Sequence, residues 1–273
     1  MDLLLLFKVF ILGIVEGLTE FLPISSTGHL IVVGSLLDYH NEQSKIFDVV
    51  IQLGAILAVC WHFRTRLATA IKGIGHSPRE QHFAKLLVVA FLPAAIIGFF
   101  LHSAIKTYLF NAYTVAFALI TGGLLIILIE RRQKTAKIAE VEAMSWKDAL
   151  KIGFAQCLAM WPGVSRSGAT IMGGMFFGLN RQTATEFSFF LAIPTMFAAT
   201  GYELLKNWQN LHLEDLPVFA VGFITSFIFG LIAVRALIYF ISNHTFIGFA
   251  WYRIIFGAIV LLLAWTGLVD WHS

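Results

Sequence analysis

Nine apolar runs dominate this chain, at residues 3–22, 47–63, 84–101, 113–129, 149–161, 169–179, 185–205, 216–240 and 246–268, with a shorter one at 30–37. A membrane helix needs roughly 20 apolar residues, whereas lipid-facing strands of a barrel alternate apolar with polar. Stretches such as 122–129 and 254–265 are continuous, so the spans read as helices. Composition agrees: 58% of residues are hydrophobic and 13% charged, and the mean hydropathy is +0.81, where a soluble domain carries about 25% charged residues. Disorder, a coiled coil and a fibrous protein are excluded. A net charge of +3, spread along the chain, also argues against nucleic acid as a partner. The expected fold class is an all-α polytopic integral membrane protein embedded in the lipid bilayer, with room for roughly six to ten membrane segments. Cys60 and Cys157 both sit in apolar runs, so no disulfide framework is indicated. Residues 1–8 lack a basic leader and a small-residue cleavage site and read as the start of the mature protein.

Several runs are too short to span alone, and two Gly/Ser-rich breaks interrupt them, at 23–29 and 162–170. A gapless shift of 140 positions superposes the breaks. Leu18 meets Leu158, Phe21 meets Trp161, Ile24 meets Val164, Ser25 meets Ser165, Thr27 meets Ser167, Gly28 meets Gly168 and Gly34 meets Gly174. In the same register Glu16 meets Gln156. A fixed offset with matching order reads as an internal duplication. The repeats fall at about 1–132 and 146–273 of one membrane domain, joined by the polar segment 131–147.

Arg64, Arg66, Lys72, Arg79 and Lys85 lie in or beside one loop, and Arg131, Arg132, Lys134, Lys137, Lys147 and Lys151 in or beside another. Positive charge marks both as cytoplasmic. The segment 102–112 between them carries only Lys106 and is placed outside. If each break turns back as a re-entrant helical hairpin, each half keeps three transmembrane crossings. The odd number inverts the second copy. Both termini then lie outside, and the two hairpin tips can meet inside the protein, the plan of transporters built from broken helices.

The residues with chemistry cluster at the breaks. Glu16 and Glu20 lie four apart, on one helix face. A charge at membrane depth costs roughly 2.5–3.5 kcal/mol on insertion scales, so the pair calls for a cation, and carboxylates suit Mg²⁺ or Ca²⁺. Ser25, Ser26, Thr27 and His29 add hydroxyls and an imidazole, and backbone N–H groups at the start of the following helix point at an anion. Arg166, flanked by Ser165 and Ser167 with Thr170 beyond, reads as a bidentate phosphate clamp. Asp48, Gln52 and Glu186 are secondary groups or helix caps. His62, His76, His82 and His102 lie near loops and read as solvated.

The segments 16–29 (EGLTEFLPISSTGH) and 162–170 (PGVSRSGAT) together resemble the bacterial undecaprenyl-diphosphate phosphatase family of the bacitracin-resistance type, and the resemblance runs over essentially the whole chain. It implies a multi-pass protein of the bacterial inner (plasma) membrane. The implied reaction removes the terminal phosphate of undecaprenyl diphosphate, a polyprenyl diphosphate lipid, with a divalent cation, Mg²⁺ or Ca²⁺. That regenerates the lipid carrier for peptidoglycan and envelope glycans and confers bacitracin resistance. The family's acid pair falls on Glu16 and Glu20, its Ser/His motif on Ser26 and His29, and its arginine motif on Arg166. A periplasmic active site follows, and a homodimer is compatible.

The mechanism expected is in-line attack on the terminal phosphorus. Glu16 and Glu20 hold the metal, and Ser25, Thr27, Ser165, Arg166, Ser167 and Thr170 bind phosphate oxygens. Ser26 and His29 supply nucleophile and acid/base, with the nucleophile itself open between Ser26, His29 and water. The rival is an inverted-repeat transporter or flippase.

Overall fold

The computed structural model describes residues 3–39, 42–132, 136–207, 209 and 213–269. Among the described residues it contains eleven α-helices and no strand. The first half runs through α1 (Leu3–Thr19), α2 (Ser26–Leu36), α3 (Glu42–His62), α4 (Arg64–Gly73), α5 (Pro78–Leu109) and α6 (Ala112–Arg132). The second runs through α7 (Trp146–Cys157), α8 (Arg166–Phe176), α9 (Arg181–Asn207), α10 (Leu216–Ile241) and α11 (Ile247–Thr266).

Five helices, α5, α6, α9, α10 and α11, are long and apolar enough to cross a membrane, and α3 with α4, bent by 76° at Phe63, makes a sixth. The chain is a multi-pass membrane protein. Its large apolar side chains point outward, among them Phe99, Phe100, Leu124, Tyr239 and Trp265, the reverse of a water-soluble surface. Residues 64–85, expected as a loop, are instead α4 and the first turns of α5. Nothing in this polar stretch breaks a helix before Gly73, and Pro78 then sits in the first turn of α5, where a missing N–H costs nothing. His102 and Lys106 have side chains outside the described residues.

Hydrophobic attraction cannot hold helices together in lipid, so close backbone approach does. A Cβ on Gly13 of α1 would lie 2.7 Å from the carbonyl oxygen of Gly222 on α10, and one on Gly153 of α7 would lie 2.5 Å from that of Ala90 on α5. Gly13 and Gly153 are 140 positions apart and do the same work. Elsewhere α6 packs on α11, and α3 packs on α9 and α10.

The short helices α2 and α8 have 11 residues each, and their bounds are also 140 apart. Each follows a serine at positive φ, Ser25 at 72° and Ser165 at 73°. Each ends alike: Tyr39 N donates to Gly34 O at 2.9 Å, Leu179 N donates to Gly174 O at 3.0 Å, and Asp38 and Gly178 carry positive φ.

The basic end of the bundle is tied by ion pairs. Arg66 and Arg79 reach Glu80 and Glu142, and Arg181 grips Glu130, which also accepts Phe246 N at 2.7 Å. That carboxylate joins α6, α9 and α11. The linker docks there too, with Lys137 N and Ile138 N donating to Gly178 O. Cys60 and Cys157 are both free, in accord with the absence of a disulfide framework.

Candidate active site

The two breaks meet in the middle of the molecule. Ser167 Oγ donates to Leu22 O at 2.8 Å, which joins the second break to the first. The N-termini of α2 and α8 face one cavity of about 520 Å³, lined by Ser25, Ser26 and Thr27 from one and Ser165 and Arg166 from the other, with Glu20 between them. A second cavity of about 490 Å³ shares Ser26, Thr27 and Gln52 with it and includes Glu16, Tyr39, Asp48, Phe110 and Lys206. Tyr39, Phe110 and Lys206 mark the ends of α2, α5 and α9, so this space opens at the end of the bundle opposite the basic loops. Toward the basic end, aromatic rings close it. Phe21 meets Phe189 edge-on at 5.6 Å, and Phe190 packs on Phe63 and Phe83 at 4.7 and 5.1 Å.

Glu20 stands at the centre and is 7% exposed. Its Oε2 accepts Ser26 Oγ–H at 2.5 Å, and its Oε1 accepts Arg166 Nη2 at 3.1 Å. Arg166 also donates Nη1 to Ser188 O at 3.4 Å and lies over the Phe21 ring, while its Nε has no partner. Two helix N-termini and a guanidinium at one cavity favour an anion. A serine held by a carboxylate, next to that anion, can transfer its proton as it attacks.

His29 is not turned toward Ser26. Its Nδ1 is 2.7 Å from Ser25 O and its Nε2 2.7 Å from Tyr252 Oη, and the ring stacks on Phe256 at 4.1 Å. The partner of Ser26 is Glu20. Ser167 and Thr170, expected to bind phosphate, do not line either cavity. Ser167 is spent on Leu22 O, and Thr170 Oγ1 lies 2.9 Å from Arg166 O and 2.6 Å from Ser188 Oγ. Helical phase turns both into the protein, where their hydroxyls must find protein partners. Of the secondary residues, Asp48 and Gln52 line the cavities and Glu186 accepts from Gln182, whereas His82, expected to be solvated, is partly buried and meets Met144 O at 2.9 Å.

Among the described residues no group of three His, Cys, Asp or Glu gathers as a metal cage. Glu16 nevertheless carries a buried Oε1 with no hydrogen-bond partner. Mg²⁺ is commonly held by one or two carboxylates plus substrate phosphates. The donor set fits a cation that arrives with a phosphorylated ligand, better than one held by protein alone.

Arg253 escaped the sequence reading. It is 1% exposed in mid-α11 and, among the described residues, pairs with no carboxylate. All five N–H groups go to carbonyls: Nη1 to Pro23 and Val164 at 3.1 and 2.8 Å, Nη2 to Ala118 and Gly163 at 3.0 and 2.9 Å, and Nε to Leu119 at 3.3 Å. One guanidinium therefore holds both breaks against α6. An arginine in an otherwise apolar run was the signal that could have found it.

Fold and site define a multi-pass helical membrane protein with a hydroxyl, a carboxylate and a guanidinium gathered at one cavity. The family model described as "Bacitracin resistance protein BacA" matches residues 9–259, and the chain belongs to that family. It is 60% identical to the undecaprenyl-diphosphatase of Aromatoleum aromaticum and 59% identical to that of Nitrosospira multiformis, each over 273 residues and the full length of both chains. It is 57% identical to undecaprenyl-diphosphatase 2 of Rhodospirillum rubrum, again over the full length of both.

Proposed function

We infer that this protein hydrolyses undecaprenyl diphosphate to undecaprenyl phosphate and inorganic phosphate, renewing the lipid carrier for peptidoglycan synthesis and conferring bacitracin resistance. The observation that carries the reading is Glu20 bridging Ser26 and Arg166 at the mouths of two opposed helix N-termini, in a chain so alike over its full length to proteins of that name.

Ser26 Oγ attacks the terminal phosphorus while Glu20 takes its proton. The bond to the bridging oxygen breaks, and undecaprenyl phosphate leaves. The leaving undecaprenyl phosphate carries off the proton from Glu20, which then takes a proton from water as the water attacks the phosphoserine and returns it to Ser26 Oγ as phosphate is released. Arg166 and the N–H groups that open α2 and α8 hold the phosphoryl oxygens, with Ser25, Thr27 and Ser165 along the wall. His29 orients the turn through Ser25 O. Glu16, with Glu20, would hold a divalent cation, Mg²⁺ or Ca²⁺, which when bound neutralises the diphosphate.

The site opens to the periplasm, because its mouth lies opposite the basic loops. Two inverted repeats are supported by the 140-residue spacing of α2 and α8, of their serines at positive φ and of their terminal hydrogen bonds. The test is phosphate release from undecaprenyl diphosphate by purified protein in detergent, with and without EDTA. Release that stops with EDTA and returns with Mg²⁺ or Ca²⁺ is expected. No release would leave only the transporter reading, because in detergent there is no membrane to cross.

A further inference from the structure

Gln156 stands where the duplication puts the counterpart of Glu16. It lies in α7, 2% exposed, and lines the cavity with Glu20, Ser26 and Arg166. Its Oε1 lies 3.3 Å from Thr195 Oγ1, whose single proton is also within reach of Leu191 O at 2.8 Å, and its Nε2 has no hydrogen-bond partner. Turning the amide over would put Nε2 on Thr195 and leave Oε1 alone, so one end lacks a protein partner either way, and an anion in the cavity would select the orientation that presents Nε2. A buried polar group without a partner is costly, and native proteins keep few of them. Arg166 Nε is a second buried donor without a partner, in a residue lining the same cavity.

We propose that Gln156 is a further substrate-binding residue, its side-chain amide donating to a phosphoryl oxygen of the bound diphosphate. This rests on the diphosphatase reading above. The two repeats then divide the electrostatic work. Glu16 offers a carboxylate oxygen suited to a cation, and Gln156 offers the neutral isostere suited to an anion. A second glutamate at 156 would bring a negative charge against the phosphate.

The test uses the full-length protein in detergent with Gln156→Leu and Gln156→Glu, read by undecaprenyl diphosphate hydrolysis and by inhibition with inorganic pyrophosphate. Loss of a donor to a charged group predicts that Gln156→Leu lowers kcat/KM by about 10- to 100-fold, and that pyrophosphate inhibition weakens in parallel. Gln156→Glu should fall further above neutral pH and regain activity relative to wild type as the pH drops, because a protonated carboxyl can donate again. A purely structural role would not produce that pH profile. Should Gln156→Leu fail to fold, the isosteric Gln156→Glu decides. Kinetics and pyrophosphate inhibition within twofold of wild type in Gln156→Leu would overturn the proposal, as would a wild-type pH profile in Gln156→Glu. Wild-type protein that binds pyrophosphate but releases no phosphate would sink the diphosphatase reading alone, and direct binding of pyrophosphate, compared by calorimetry between wild type and Gln156→Leu, would still judge Gln156.

Discussion

Ser25 and Ser165, 140 residues apart, hold the same left-handed backbone turn, with φ of 72° and 73°. They differ in what the side chain does there. Ser165 Oγ accepts Gly168 N at 3.1 Å and caps α8, whereas Ser25 makes no cap bond to α2. A non-glycine residue in this region costs about 1–3 kcal/mol. Ser25→Gly should therefore melt at or above the wild-type temperature. Ser165→Gly should gain less, since losing an N-cap costs about 1 kcal/mol. Ser25→Val should melt clearly lower. Thermal unfolding followed by tryptophan fluorescence separates the three.

Ser26 and His29 make different claims on the phosphoryl group. Both ring nitrogens of His29 are engaged, so no lone pair is free to attack. A rapid quench with substrate labelled at the terminal phosphorus should trap an acid-stable phosphoserine that disappears in Ser26→Ala and persists in His29→Asn. Configuration at phosphorus should be retained overall, because two displacements occur. An acid-labile label lost with His29, or net inversion, would refute the serine pathway.

Glu20→Gln keeps the shape but removes the proton acceptor and one of the two oxygens that accept from Ser26 and Arg166. Activity should fall by about three orders of magnitude, within the range general-base catalysis supplies. Combining it with Ser26→Ala should add little, because residues acting as a unit are not additive. Full additivity in kcat would separate the two.

Arg166→Lys preserves charge and loses the fork. A lysine cannot both meet Glu20 Oε1 and present a planar pair of donors to phosphate. Steady-state assays should show most of kcat/KM lost in protein whose melting temperature stays near wild type. Retained kinetics would reduce Arg166 to a counter-charge.

Arg253→Lys should lose stability and activity together. An ammonium has three donors for five carbonyls drawn from the two breaks and α6. Each buried carbonyl left without a partner costs about 1–3 kcal/mol. A melting temperature equal to wild type in Arg253→Lys would show that the clamp contributes nothing.

Orientation can be read by cysteine labelling in a background without Cys60 and Cys157. Gly75→Cys and Asn243→Cys should react only from the cytoplasmic side, Glu214→Cys and Thr266→Cys only from outside. Thr266 and Gly75 reporting one side would exclude inverted repeats.

The spans were legible because a bilayer demands long apolar runs, and the breaks because Gly, Ser and Pro interrupt them. The bounds of α2 and α8 follow the 140-residue shift read from Ser25 and Ser165. The gathering of Glu20, Ser26 and Arg166 was legible from residue type alone. Direction was not. Whether Ser167 faces the ligand or Leu22 depends on helical phase against a partner 145 residues away. The ring of His29 is set by Tyr252, 223 residues distant. Arg253 carries no neighbouring motif, and its meaning appears only when five carbonyls from three segments converge on it.

Arg253 and Tyr252 also fix an order in time. Both belong to α11, which is synthesised after the segments it gathers. Until it enters the bilayer, Pro23, Gly163 and Val164 have no guanidinium to gather them, and His29 has no phenol. The two breaks can be made early, but the centre they form remains chemically unfinished. A nascent chain is thus kept from acting on membrane diphosphates until α11 has docked.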